Sequence, residues 1–110
     1  MKAEEFNKIV ERRVELIKST LITKAKEYAT DEDRLHNFKV GAKITGEHPV
    51  KIADNFMLKH YISYRDIIKL IENGGFPTID LIDAKIGDII NYLILIEALI
   101  DENNNTISRK

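Results

Sequence analysis

Apolar residues recur along this chain at steps of three and four, with no stretch of the sustained alternation that marks a half-buried strand. Phe6, Val10, Val14, Ile17, Leu21, Ala25 and Tyr28 make one such stripe, widened by Ile9, Leu16 and Ile22. The spacing predicts a long first helix with Glu4, Lys8, Glu11, Arg12, Glu15 and Lys18 toward solvent. The run Thr30-Asp31-Glu32-Asp33 is acidic and rich in capping residues. It predicts a short second helix that carries Leu35, Phe38 and Ala42 and stops near Gly46. Pro49 suits a first helical position, and Ala53, Met57, His60, Tyr64, Ile67 and Ile71 mark the inward stripe of a third helix ended by Gly74-Gly75. Thr78 and Asp80 are candidate caps for a fourth helix running to about Glu102.

The pattern predicts an all-α fold, an antiparallel bundle of about four helices, three long and one short. It forms a single domain over residues 1–102, followed by a polar tail, 103–110, expected to be disordered. The fourth helix carries Ile82, Ile86, Ile89, Leu93, Ile96 and Ile100 on one seam and further apolar residues on two others. A helix apolar on nearly all sides is buried on nearly all sides. In a chain of 110 residues that predicts a homodimer or higher homo-oligomer with this helix near the interface.

Composition narrows the function. Apolar residues make up 44% of the chain and charged residues 32%, the balance of a folded domain and not of a disordered one. A net charge of −1 provides no global field for nucleic acid or an anionic membrane, so any anion site must be local. The absence of cysteine removes disulfides, thiolate catalysis and Cys-based zinc sites together. The charged start, Met1 to Glu5, is unlike a secretory signal, and the longest apolar run, Ile89 to Ile96, is far shorter than the roughly 20 residues that span a bilayer. The expectation is a cytoplasmic protein with no membrane partner.

Three groups of residues could carry chemistry. Lys24, Tyr28, Arg34, His36, Asn37 and Lys39 crowd the junction of the first two helices. Their cations suit phosphate, their rings a base face, and Asn37 a base edge. The competing reading has Arg34 and Lys39 solvated or paired with Asp31 and Asp33. On the third helix Lys59, Ser63 and Asp66 share a face, with His60 turned toward the apolar stripe. Here the alternative is a core histidine with satisfied hydrogen bonds. The last group is Asp88 and Asn91 inside the apolar fourth helix, with Asp83 and Lys85 nearby. Asp66, Asp83 and Asp88 could hold Mg²⁺ through oxygen, with Asp66 and Asp88 the candidate catalytic carboxylates. Alternatively, Asp88 and Asn91 bond to Ser63, His60 or another subunit and set helix register.

Taken together, Lys24-x3-Tyr28, Asp33-Arg34-Leu35-His36-Asn37-Phe38-Lys39, Met57-Leu58-Lys59-His60-x2-Ser63-x2-Asp66 and Lys85-Ile86-Gly87-Asp88-x2-Asn91-Tyr92 resemble small phage and prophage proteins related to the nucleotide modification associated domain. They also resemble the MazG-like all-α nucleoside triphosphate pyrophosphohydrolases. The likeness covers roughly residues 20 to 100. It implies a bundle that binds a nucleotide between helices and, in hydrolytic members, holds Mg²⁺ with paired E-x-x-E and E-x-x-D motifs. Asp88 matches the last acid of that pattern, but Lys85 stands where a Glu would precede it, and Ser63 and Asp66 replace two acids on the earlier helix. A cation in place of an anion weakens Mg²⁺ binding by several kcal/mol at close range, so the resemblance here implies binding without turnover. The leading expectation is a nucleotide-binding protein that sequesters a nucleotide or nucleotide-derived defence signal. Arg34, Lys59 and Lys85 would face phosphate, and Phe38 or Tyr64 the base. The alternatives are a Mg²⁺-dependent pyrophosphohydrolase and a helical protein-interaction or inhibitor module.

Overall fold

The computed structural model describes residues 1–27 and 32–104. It is an all-α bundle in which α1 (Ala3–Lys18), α2 (His36–Thr45), α3 (Pro49–Glu72) and α4 (Ile79–Asn104) follow one another without a strand among the described residues. Tyr28, Thr30, Asp31 and the tail from residue 105 lie outside them.

The punctuation follows the residues that set it. Asp33 Oδ1 accepts from the Leu35 N–H at 3.0 Å, just ahead of α2. Gly46 takes the left-handed conformation, φ 79°, and its N–H returns to Ala42 O. Pro49 opens α3 behind an N-cap at His48, whose Nδ1 accepts from the Val50 N–H at 3.1 Å. Thr78 Oγ1 likewise accepts from the Leu81 N–H, while Asp80 contributes charge to the first turn of α4.

The first helix departs from its predicted course. Its α-winding stops at Lys18, and a π-helical turn (Ser19–Thr23) and a 3₁₀ turn (Lys24–Glu27) continue it. The Lys24 N–H reaches back five residues to Ser19 O. The physical reason lies in Ser19-Thr20-Leu21-Ile22-Thr23: three β-branched side chains are stiff against the preceding turn, and three hydroxyls compete for backbone groups.

The core sits at one end, where α2 crosses α3 and α4. Leu35, Phe38, Ile52, Ala53 and Leu99 are buried there, with Tyr92, Leu95 and Ile96 packed against them. Gly41 makes the crossing close, because a Cβ on it would meet Ile52 Cγ2 at 3.0 Å. α3 runs antiparallel to α4, with Ile52 and Ala53 near Leu99 and His60 near Asp88. α1 runs parallel to α4, since Arg12 bonds Asp83 while Thr20 lies with Asn91. Thus α4 is the central helix, covered by α1, α2 and α3 of its own chain. That cover is partial: Leu99 is buried, whereas Leu93, Ile94 and Ile100 stay exposed, so the helix's own chain accounts for only part of its all-round apolarity.

A two-arginine clamp fixes the α1–α4 register. Arg12 donates to both carboxylate oxygens of Asp83, at 2.6 and 2.5 Å, and Arg13 donates to the Asp83 carbonyl at 3.3 Å. Arg13 lies over Gly87, where an added Cβ would come within 2.8 Å of its Nη1. The hydrogen bonds from Arg12 hold the Asp83 carboxyl below its ordinary pKa. Because the folded pKa is the depressed one, this stabilisation is present above the unfolded aspartate's pKa and is lost as pH falls through the folded value. Urea unfolding measured from pH 7 down into the acid range should therefore show a shallower acid loss in Asp83→Asn than in the parent. An unchanged slope would remove the clamp from the stability of the fold.

Candidate functional site

A cavity of about 280 Å³ opens between the end of the first helical segment, the α2 entry, α3 and α4. Thr20, Leu21 and Ala25 line one wall, Arg34, Asn37 and Phe38 a second, and Phe56, Asp88, Asn91, Tyr92 and Leu95 the rest. The π turn gives the first wall its phase: five-residue winding turns Leu21 and Ala25 into the cavity beside Thr20.

The rings form a connected set. Phe38 meets Tyr92 edge-on at 6.3 Å between centroids and Phe56 at 6.1 Å, and Tyr92 stacks on His60 at 4.9 Å. His60 Nδ1 lies 3.1 Å from Asp88 Oδ2, so the carboxylate fixes the Nδ1–H tautomer as donor. Burial, with the Asp88 charge adding to it, raises the Tyr92 phenol above its ordinary pKa and keeps it a neutral hydrogen-bonding group. Among the described residues, Asn91 Oδ1 is buried and accepts no hydrogen bond. A buried acceptor in that state costs roughly 1–3 kcal/mol unless a donor reaches it.

Arg34, Asn37, Phe38 and Asn91 thus converge from two segments far apart in sequence, together with Asp88. His60 supports them from behind, through Asp88 and Tyr92. Lys24, His36, Lys59, Ser63 and Lys85 are not among the cavity's lining residues, and Tyr28 lies outside the described residues. Lys24, His36 and Lys59 are exposed, and Ser63 and Lys85 half-buried elsewhere. Lys59 departs because the face of α3 that presents His60 to α4 turns its neighbour outward. Tyr64 lies with Tyr61 at 6.0 Å, so of the two rings nominated for the base it is Phe38 that lines the cavity. Lys39 bridges Asp33 at 2.8 Å and Glu102 at 2.5 Å, the ion-paired alternative foreseen for it.

The metal set does not assemble. Asp83 is held by two arginines, Asp88 by His60, and Asp66 is exposed on α3. Among the described residues, no three His, Asp or Glu side chains converge in a group that could hold a metal ion. These donors do not fit Mg²⁺.

Sequence reasoning missed Thr20, Phe56 and Leu95, as well as the Arg12–Arg13 clamp. Phe56 was legible as a large ring next to the inward Met57; the break at Thr20 was signalled by its β-branched neighbours.

Fold and site define a class: a small all-α bundle with one ring-lined cavity that gathers an arginine, two carboxamides and a carboxylate. No helix among the described residues is long and apolar enough to cross a membrane. No family model, curated protein or solved structure matches the chain.

Proposed function

We propose that this protein binds a nucleotide or a nucleotide-derived small molecule in the Arg34–Asn91 cavity and retains it without turnover. The observation that carries this reading is the unsatisfied Asn91 Oδ1 among Phe38, Phe56 and Tyr92. A flat, apolar-faced ligand with an N–H on its edge satisfies that atom and fills the space between the rings, and a nucleobase is such a ligand. About 280 Å³ lies near the lower end of small-molecule sites and suits a base with its sugar, with phosphates toward the rim. Arg34 supplies a planar guanidinium for phosphate oxygens. Asp88, an acceptor, suits sugar hydroxyls. Among the described residues, Asp83 is held in a structural clamp and Asp88 by His60, an arrangement that supports sequestration over pyrophosphohydrolysis. The resemblance to nucleotide-handling phage and prophage proteins supports the same choice.

The test is mass analysis of small molecules released by denaturing freshly purified protein, followed by calorimetric titration with a nucleotide panel. Intact nucleotide recovered near one per chain, or saturable binding with no product after incubation with Mg²⁺, is the expected result. Release of pyrophosphate would overturn sequestration in favour of hydrolysis, and an absence of both ligand and binding would overturn the nucleotide reading.

A further inference from the structure

The ring-lined cavity continues at both ends. At Thr20, Asp88 and Asn91 it runs on into a groove of about 240 Å³ between α1 and α4, and those three residues line both spaces. At Leu21, Ala25, Arg34 and Leu95 it runs on the other way, toward Ala98 and Glu102. Asp88 and Leu95 are seven residues apart on α4, about 10 Å along its axis. Phe38, Phe56 and Tyr92 line neither extension, so they face the middle. Arg34 and Asp88 therefore stand at opposite ends of one cavity, with the rings between them. The surroundings sharpen this polarity. In the groove Arg12 already neutralises Asp83, so Asp80 and Asp88 outweigh Arg13, a lining that repels phosphate. At the Arg34 end, Asp33 is neutralised by Lys39.

We infer that the ligand is a ribonucleoside 5′-phosphate, and that Asp88 selects it over the 2′-deoxy form by accepting hydrogen bonds from the ribose diol. The inference rests on the nucleotide reading and adds the ligand class to it. A ribose carries its 5′-phosphate and its 2′,3′-diol on opposite edges of the ring. A cavity with an arginine at one end and a carboxylate at the other matches that molecule end to end. An ionised carboxylate only accepts hydrogen bonds, so the Asp88 end suits hydroxyls and rejects phosphate oxygens. Asp88 lies one turn before Asn91 on the same face of α4, so a base whose edge meets Asn91 Oδ1 brings its sugar alongside Asp88. Exposure decides which of the two acceptors takes the base. Asn91 Oδ1 is buried, whereas the Asp88 side chain is 40% exposed, so the flat apolar base goes to the dry acceptor and the hydroxyls to the half-wet one. His60 Nδ1 lies 3.1 Å from Asp88 Oδ2, and Oδ1 is the oxygen that takes the diol.

Calorimetric titration of the full chain tests it, with adenosine, guanosine, cytidine and uridine 5′-monophosphates each beside its 2′-deoxy counterpart. For the base that binds best, the ribonucleotide should bind about ten- to a hundredfold more tightly than its 2′-deoxy form, the worth of a hydrogen bond to a charged group. The 3′-monophosphate of the same nucleoside should bind no better than the deoxynucleotide, because it brings phosphate to Asp88. Asp88→Asn keeps the shape and removes the charge, and should cut the ribose preference to below about threefold while the deoxynucleotide affinity stays within about twofold. Circular dichroism reports whether that variant keeps its helices; if it does not, the parent's ribose preference and its rejection of the 3′-isomer decide the matter together. Equal binding of ribo and deoxy forms by the parent overturns the inference and leaves nucleotide binding in place. A ribose preference that survives in Asp88→Asn places the diol elsewhere and overturns it too. Binding of none of these nucleotides removes the nucleotide reading and the inference with it.

Discussion

Leu99→Ala should lower the unfolding free energy by about 3 kcal/mol, the usual loss when a buried leucine is cut to a methyl in a core that only partly collapses. Leu99 is 2% exposed and joins α4 to Leu35, Phe38, Ile52 and Ala53, so one truncation loosens three helices at once. In a domain of this size that corresponds to a fall of roughly 10–20 °C in melting temperature. The control is Leu93→Ala on the same helix, 51% exposed, which should change stability by less than about 0.5 kcal/mol. Thermal and urea unfolding of the pair check this directly. Equal losses in the two variants would mean that the core does not lie where α2 crosses α4.

Arg34→Ala should weaken binding of whichever nucleotide the titrations identify by about a hundredfold, near 3 kcal/mol, if the guanidinium meets phosphate in the sheltered cavity. Arg34→Lys should recover only part of the loss, because an ammonium does not reproduce the planar two-point contact. Comparing nucleotide with the matching nucleoside isolates the phosphate: the parent should prefer the nucleotide, and Arg34→Ala should bind the two alike. A variant that weakens both ligands equally would assign Arg34 to shaping the cavity.

Helix number and most boundaries were legible because they rest on local chemistry: Gly46 in the left-handed region, Pro49 behind His48, the Thr78 cap. The π turn was not, because the apolar stripe through Leu21 and Ala25 keeps helical spacing in sequence while the backbone changes its winding. At the site, Arg34, Asn37, Phe38, Asp88 and Asn91 were nominated from residue type, and the fold brings them to one cavity. Lys59 and Lys85 were nominated on the same grounds and lie elsewhere; charge and spacing along one helix do not fix which way that helix is turned. Asp83 shows the reverse failure. It was read as a metal ligand beside Asp88, and only the parallel packing of α1 shows that it belongs to Arg12 and Arg13. The apolar fourth helix signalled its central position, but pattern alone does not say how much of its surface its own chain covers, and Leu93, Ile94 and Ile100 stay exposed.

The π turn at Ser19–Thr23 also says how such a chamber could diversify between descendants of one ancestor. A π turn is a single-residue insertion absorbed by the winding, so losing one codon there returns the segment to α phase. Thr20 and Leu21, inside the turn, would change their facing, while Ala25, α3, α4 and the shared core stayed in place. Ligand preference and structural integrity are therefore carried by separable parts of the chain.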